Sequence, residues 1–370
     1  MDRTSIYSLD RKKLSEIVAE NKLQSFRVDQ LLKWLYHDKV IDMSQMTNLP
    51  KSFRSWLSSN YSFDLPRLCA VKHSKDGTKK WSVGLESGNY VEMVLIPERD
   101  RNTLCVSSQV GCALKCDFCS TGKQGFKANL TTAEIVGQLI LANRHLSREG
   151  KRVSNIVFMG MGEPLLNLEA VSSAINLFQD DCAFGLSKRK VTLSTAGLVP
   201  GIMRMKETLD CSLAISLHAP TDSVRNVLVP VNRKYPIKDL LAAASEYIES
   251  RQSLRKLIIE YTLIEGVNDS PQDAARLAEL LKPIKCKINL IPFNTFDGSD
   301  YKAPKDQYVK AFQRRLILAG HRAMIRSTRG SDILAACGQL AELSLIDADE
   351  SIDGGSDEHR KVALTFLESA

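Results

Sequence analysis

Cys112, Cys116 and Cys119 stand in the stretch GCALKCDFCSTG with C-x3-C-x2-C spacing. Three thiolates this close along a chain can wrap one metal centre. Zinc is one reading, but a closed structural zinc site takes four ligands, usually as two paired C-x2-C elements. No fourth partner sits at a suitable spacing. A 4Fe-4S cluster also usually takes four cysteines. With three, one iron stays open, and an open iron can hold a substrate or a cofactor.

Other polar residues fall at the ends of strand-like segments. Residues 154–165 (SNIVFMGMGEPL) run from a strand into Gly160, Gly162 and Glu163. Glycines there let the backbone approach a ligand closely. Residues 191–197 (VTLSTAG) end a strand with Ser194, residues 213–218 (LAISLH) with Ser216, Leu217 and His218, and residues 288–294 (INLIPFN) with Asn294. Any one of these fits a satisfied structural polar group. Together with the cysteine triplet they point to a shared ligand site.

The triplet, with aromatic Phe118 before its last cysteine, resembles the signature of the radical-SAM superfamily. The resemblance implies a 4Fe-4S cluster on Cys112, Cys116 and Cys119 whose open iron chelates S-adenosylmethionine. Reduction of that complex releases a 5′-deoxyadenosyl radical. Gly162, Glu163, Ser194, Ser216, Leu217, His218 and Asn294 are then the expected cofactor-binding set, with Glu163 accepting from the methionine ammonium.

From about residue 90 to Gln339, and more loosely from residue 8, the chain resembles the RlmN/Cfr family of radical-SAM RNA adenine methyltransferases. The matching stretches are CVSSQVGCALKCDFCSTG, FMGMGEPLLN, VTLSTAG, SLHAP, VNRKYP, GVNDS, IPFN and RGSDILAACGQL. Ala196 departs from the family, where serine is frequent. The resemblance implies two S-adenosylmethionine molecules per turnover. One methylates Cys337. The other supplies the radical that turns the S-methyl group into an S-methylene radical able to attack the electron-poor C2 of adenine. Glu92 matches the general base. Cys105 matches the resolving thiol, which releases product through a transient disulfide with Cys337. The implied substrates are an adenosine in the peptidyl-transferase region of 23S rRNA and the adenosine beside the anticodon of tRNA. A donor such as flavodoxin supplies electrons, and the enzyme is a monomer. The alternatives are a C8-directed enzyme of the same family and a zinc-stabilised RNA-binding protein without catalysis.

These residues need a scaffold that gathers strand ends. Strand-like segments begin near Leu104, Asn155, Val191, Ser212, Leu257 and Lys287. Helical stretches at 131–146, 168–178, 199–209, 237–249 and 270–281 alternate with them, and a helix at 305–318 and a strand at 323–327 follow. Such alternation predicts βα units with parallel strands and right-handed crossovers. Six units predict an α/β fold of the partial (βα)6 barrel type, with chemistry at the carboxyl ends of the strands. Residues 1–65 predict a small helical domain that contacts RNA, with Ser8 capping its first helix. Residues 66–97 predict a β-rich linker segment that carries Glu92 and turns at Lys75-Asp76-Gly77-Thr78. Residues 98–340 complete the barrel and Cys337. Cys69, Cys182, Cys211 and Cys286 are expected to be small buried hydrophobes.

The net charge is +7, but residues 347–370 hold seven acidic and two basic side chains, which leaves +12 on the rest of the chain. A basic body suits a polyanionic partner such as RNA, and the polar tail is expected to be disordered. No apolar run reaches the ~18 residues of a membrane span, and residues 1–13 lack the apolar core of a signal peptide. Nine cysteines therefore read as cytoplasmic thiols and metal ligands, not as a disulfide scaffold.

Overall fold

The computed structural model of the chain describes residues 3–38, 40–251 and 255–341. The expected disordered tail, 347–370, lies outside them.

Three helices lead the chain: α1 (Arg11–Glu20), α2 (Phe26–Tyr36) and α3 (Lys51–Asn60). Leu14, Ile17 and Val18 of α1 and Val28, Leu31, Leu32 and Leu35 of α2 are buried at helical spacing, so apolar stripes drive the packing. The cap of α1 is Asp10, whose carboxylate accepts from the Lys13 N–H at 3.1 Å. Ser8 instead ends a short 3-10 turn, Ile6–Ser8. Both residue types suit an N-cap, and the extra turn moves the helix start by two positions.

A ten-stranded sheet forms the body. Its strands are β1 (Arg67–His73), β2 (Lys79–Gly84), β3 (Tyr90–Glu98), β4 (Arg101–Cys105), β5 (Asn155–Phe158), β6 (Val191–Thr195), β7 (Ser212–Ser216), β8 (Leu257–Leu263), β9 (Cys286–Pro292) and β10 (Ala323–Ile325). Spatial order follows chain order. The strands β4 to β10 run parallel. Between them lie α4 (Thr132–Ser147), α5 (Leu168–Gln179), α6 (Val199–Thr208), α7 (Ile237–Glu249), α8 (Pro271–Leu281) and α9 (Asp306–Leu318). This is the expected series of six βα units. Residues 66–97, expected as a β-rich linker segment, hold β1, β2 and β3, antiparallel strands that are bonded into the same sheet through β4. The turn at Asp76-Gly77 closes the β1–β2 hairpin, with Gly77 at φ +85°.

Every residue of β8 is buried, the mark of a parallel strand covered on both faces. Its outer face meets helices. On its inner face Glu260 and Thr262 interrupt the apolar run. Alternate residues face the interior, so Ile258, Glu260 and Thr262 share that face. Among the four cysteines expected in the core, Cys211 and Cys286 are buried, whereas Cys69 and Cys182 are only half-buried. No helix among the described residues is long and apolar enough to cross a membrane.

Candidate active site

The thiol triplet occupies a loop between two short strands, Gln109–Gly111 and Phe126–Asn129, that pair antiparallel. The loop begins at Gly111, at φ +70°, where a Cβ would lie 1.8 Å from the Gly125 carbonyl oxygen. Only glycine fits. The Cys112 N–H donates to the Gly125 carbonyl at 2.8 Å, and the Asp117 N–H to the Leu228 carbonyl at 3.0 Å. Burial pushes the Cys112 thiol up to about 12 and the Cys116 thiol well above its ordinary value. The neighbouring thiols and Glu163 add to both shifts.

Glu163 lies beside this loop and is almost fully buried. Its carboxylate accepts from the Leu165 N–H at 3.1 Å and the Ala196 N–H at 2.8 Å. Burial still raises it to about 7. Ser194 and Ser216, on neighbouring strands β6 and β7, bring their hydroxyls to 3.4 Å. His218 adopts φ +57°, and its Nδ1 accepts from the Thr262 N–H at 3.0 Å. That bond leaves the proton on Nε2, and burial lowers the imidazole to about 3, so the ring is neutral. Phe118 meets it edge-on at 4.5 Å. The side chain of Leu217 is fully buried; its N–H donates to the Glu260 carbonyl at 3.0 Å. Gly160 and Gly162, expected to admit a ligand, also leave no room for a side chain against the protein itself. A Cβ at Gly160 would meet the Ser107 hydroxyl at 2.7 Å, and one at Gly162 the Gln109 Cβ at 2.4 Å. Close packing of this turn on the chain after β4 explains both.

Sequence reasoning passed over Arg225, which is fully buried. It donates to the carbonyls of Leu217 at 2.9 Å, Ala196 at 2.6 Å and Ser216 at 3.0 Å, and to Asn232 Oδ1 at 2.8 Å. One guanidinium thus ties together the carboxyl ends of β6 and β7. Asn232 in the VNRKYP stretch was the available signal, but nothing local told that it faces Arg225.

Below this level lies a cavity of about 570 Å³ in the barrel interior, lined by Cys105, Cys337, Asn294, Glu260, Asn289 and Arg326 among others. Cys105 and Cys337 are free thiols. Burial pushes Cys105 up to about 12, with Cys337 adding and Arg326 opposing. The segment that carries Cys337 is bound on several sides. Asn294 donates to the Cys337 carbonyl at 3.1 Å, the Ser120 N–H to the Gly338 carbonyl at 2.8 Å, and the Thr121 hydroxyl to the Leu340 carbonyl at 2.6 Å. Ser120 and Thr121 directly follow Cys119, so the thiol loop and the Cys337 segment are docked on each other. Asn294 thus holds the Cys337 segment and lines the cavity, whereas Glu163, Ser194, Ser216 and His218 lie outside the cavity lining. Glu92 shares the strand face of cavity-lining Val94 and Ile96 but is one step farther along β3 and lines no part of it. Its carboxylate is paired with Lys80 at 2.8 Å and accepts from the Ala341 N–H at 3.0 Å.

Comparison with known proteins decides the family. Residues 106–278 match the radical SAM superfamily, and residues 4–62 match the N-terminal domain of ribosomal RNA large subunit methyltransferases. The dual-specificity RNA methyltransferase RlmN of Marinobacter nauticus is 50% identical over 92% of this chain and 93% of its own length. That of Vesicomyosocius okutanii is 48% identical over 92% and 96%. The chain belongs to the RlmN family of radical SAM methyltransferases. A crystal structure of a radical SAM methyltransferase from Sphaerobacter thermophilus matches at TM-score 0.84 and 38% identity, over 92% of this chain and all of that one.

RlmN membership implies a 4Fe-4S cluster and S-adenosylmethionine, and the donor set fits both. Among the described residues no three His, Cys, Asp or Glu side chains converge on a single metal-ion position. A 4Fe-4S cluster is held by thiolates, and Cys112, Cys116 and Cys119, all free and part-buried in one loop, would supply three of them. Beside the loop stands the buried carboxylate of Glu163, the acidic group that an ammonium placed there would meet.

Proposed function

We propose that this chain methylates C2 of an adenosine in 23S rRNA and in tRNA, in the cytoplasm, with a donor such as flavodoxin supplying electrons. The observation that carries the reading is that Cys105 and Cys337, 232 positions apart in the numbering, line one cavity while the Cys337 segment is docked on the thiol loop. A cluster on Cys112, Cys116 and Cys119 would supply, with S-adenosylmethionine bound, the radical that takes hydrogen from a methyl group. Cys337 carries that methyl on Sγ and presents it to the cavity. The S-methylene radical left on Cys337 adds to C2, forming the new carbon–carbon bond, and Glu92 then receives the proton from C2. Burial raises its carboxyl above the ordinary value, against the pull of Lys80, which makes it a stronger proton acceptor, and release of the Ala341 amide would free one oxygen. The Cys105 thiolate then attacks Cys337 Sγ. The carbon–sulfur bond breaks with its electron pair going to carbon, the unpaired electron left by radical addition would return to the oxidised cluster, a proton completes the methyl group, and the disulfide is later reduced by an external thiol.

The test is anaerobic reconstitution with iron and sulfide, then incubation with S-adenosylmethionine, a reductant, and 23S rRNA fragments or tRNA. Mass spectrometry of the digested nucleosides is expected to find 2-methyladenosine in both. An 8-methyl isomer, or no product from a preparation that carries its cluster, overturns the reading.

A further inference from the structure

The cavity beneath the thiols holds an unused acceptor. Glu260, on β8, is 4% exposed and lines the cavity. Its Oε1 accepts from Asn289 Nδ2 at 2.8 Å. Its Oε2 has no hydrogen-bond partner, and among the described residues no other side chain lining this cavity has a buried polar atom so placed. Arg326 Nη1 stands 3.9 Å from Oε2, beyond hydrogen-bond reach, and lies 3.8 Å from the Met159 sulfur. A buried oxygen without a hydrogen-bond donor is costly, and the charge of Arg326 offsets that only across a distance too long for a hydrogen bond. The main chain of Glu260 has a separate task, since its carbonyl accepts from the Leu217 N–H.

We propose that Glu260 selects the target base, its Oε2 accepting from the exocyclic N6–H of adenine while Asn289 holds the carboxylate in place. The inference rests on the proposed methylation of adenosine and deepens it. The cavity falls within the size of ordinary small-ligand sites, roughly 300–1,000 Å³, so it has room for an unstacked purine. Cys105 is on β4 and Glu260 on β8, with three strands between them. A purine laid between these walls presents C2 toward the thiols and N6 toward Glu260. Guanine and hypoxanthine carry an oxygen at position 6, which would meet the carboxylate as a second acceptor.

The holoenzyme is assayed on two hairpin RNAs that differ only at the target position, adenosine in one and purine riboside, which lacks the amine, in the other. Binding is also measured without reductant, so that ring reactivity does not enter. Wild type is expected to prefer adenosine by about tenfold to a hundredfold in both readouts, the range for hydrogen bonds to charged groups. Glu260→Ala should lose adenosine binding by a similar factor and remove the preference. Glu260→Gln, which keeps shape and an acceptor oxygen, should narrow it and covers the event that the alanine variant does not fold. Equal treatment of both RNAs by wild type, or an undiminished preference in the variants, overturns the proposal while leaving adenosine methylation intact. Methylation of neither RNA by a cluster-loaded wild type overturns both.

Discussion

Lys80 and Glu92 form a nearly enclosed ion pair at 2.8 Å, and each also grips one end of the segment that carries Cys337. Lys80 Nζ donates to the Leu334 carbonyl at 3.1 Å, and Glu92 accepts from the Ala341 N–H. Removing one partner of such a pair leaves an uncompensated buried charge, at a cost of about 3–5 kcal/mol. Glu92→Ala should therefore lower stability in denaturant unfolding as well as abolish methylation. The double variant Lys80→Met, Glu92→Leu should regain most of the stability and none of the activity. Recovery of methylation in the double variant would show that Glu92 only positions the segment.

Cys337→Ala should abolish methylation and keep the cluster, because Cys337 lines the cavity and is outside the thiol loop. Visible absorbance of the anaerobic protein reads the cluster, and labelled methyl transfer reads activity. Wild-type turnover by this variant would remove the carrier role.

Cys105→Ala leaves Cys337 bonded to product with no thiol to release it. A protein–RNA adduct should persist on a denaturing gel and disappear when Cys337→Ala is added. Its absence would count against the resolving role.

Asp76 clamps the start of the Cys337 segment. Its carboxylate accepts from Arg329 at 2.9 Å and the Gly330 N–H at 3.0 Å, and Thr78 donates at 2.8 Å. Burial would raise the carboxyl, but the donors from Thr78 and Gly330 outweigh it and hold it well below the ordinary range. A depressed folded-state value adds stability above the ordinary carboxylate range near ~4 and loses it as pH falls below that range. Because Asp76 is exposed in part, the effect is of order 1 kcal/mol. Asp76→Asn should speed hydrogen exchange in 329–341 at neutral pH, and the wild type should approach the variant only in strong acid.

Arg225→Met leaves three carbonyls without their guanidinium. At ~1–3 kcal/mol for each unsatisfied group, the loss should exceed ~3 kcal/mol and loosen the ends of β6 and β7. Lower S-adenosylmethionine affinity, read by equilibrium dialysis on cluster-loaded protein, is the expected outcome. An unchanged midpoint of unfolding would refute the structural role.

The thiol spacing, the βα alternation and the polar strand ends were legible because each depends on neighbours a few residues away. Metal-ligand spacing, hydrophobic periodicity and turn chemistry are local quantities, so C112-x3-C116-x2-C119 and the run to Ser194, Ser216 and Asn294 could be read directly. Tertiary structure alone decided which polar groups meet. Lys80 reaches Glu92 and Leu334, Arg225 reaches three strand-end carbonyls, and Glu260 keeps one oxygen bare because Asn289 takes the other. Gly160 and Gly162 likewise owe their absence of side chain to Ser107 and Gln109, more than fifty positions earlier. Periodicity sets the face on which a side chain emerges, but its partner depends on how distant strands stack across the lumen, which no short window of sequence contains.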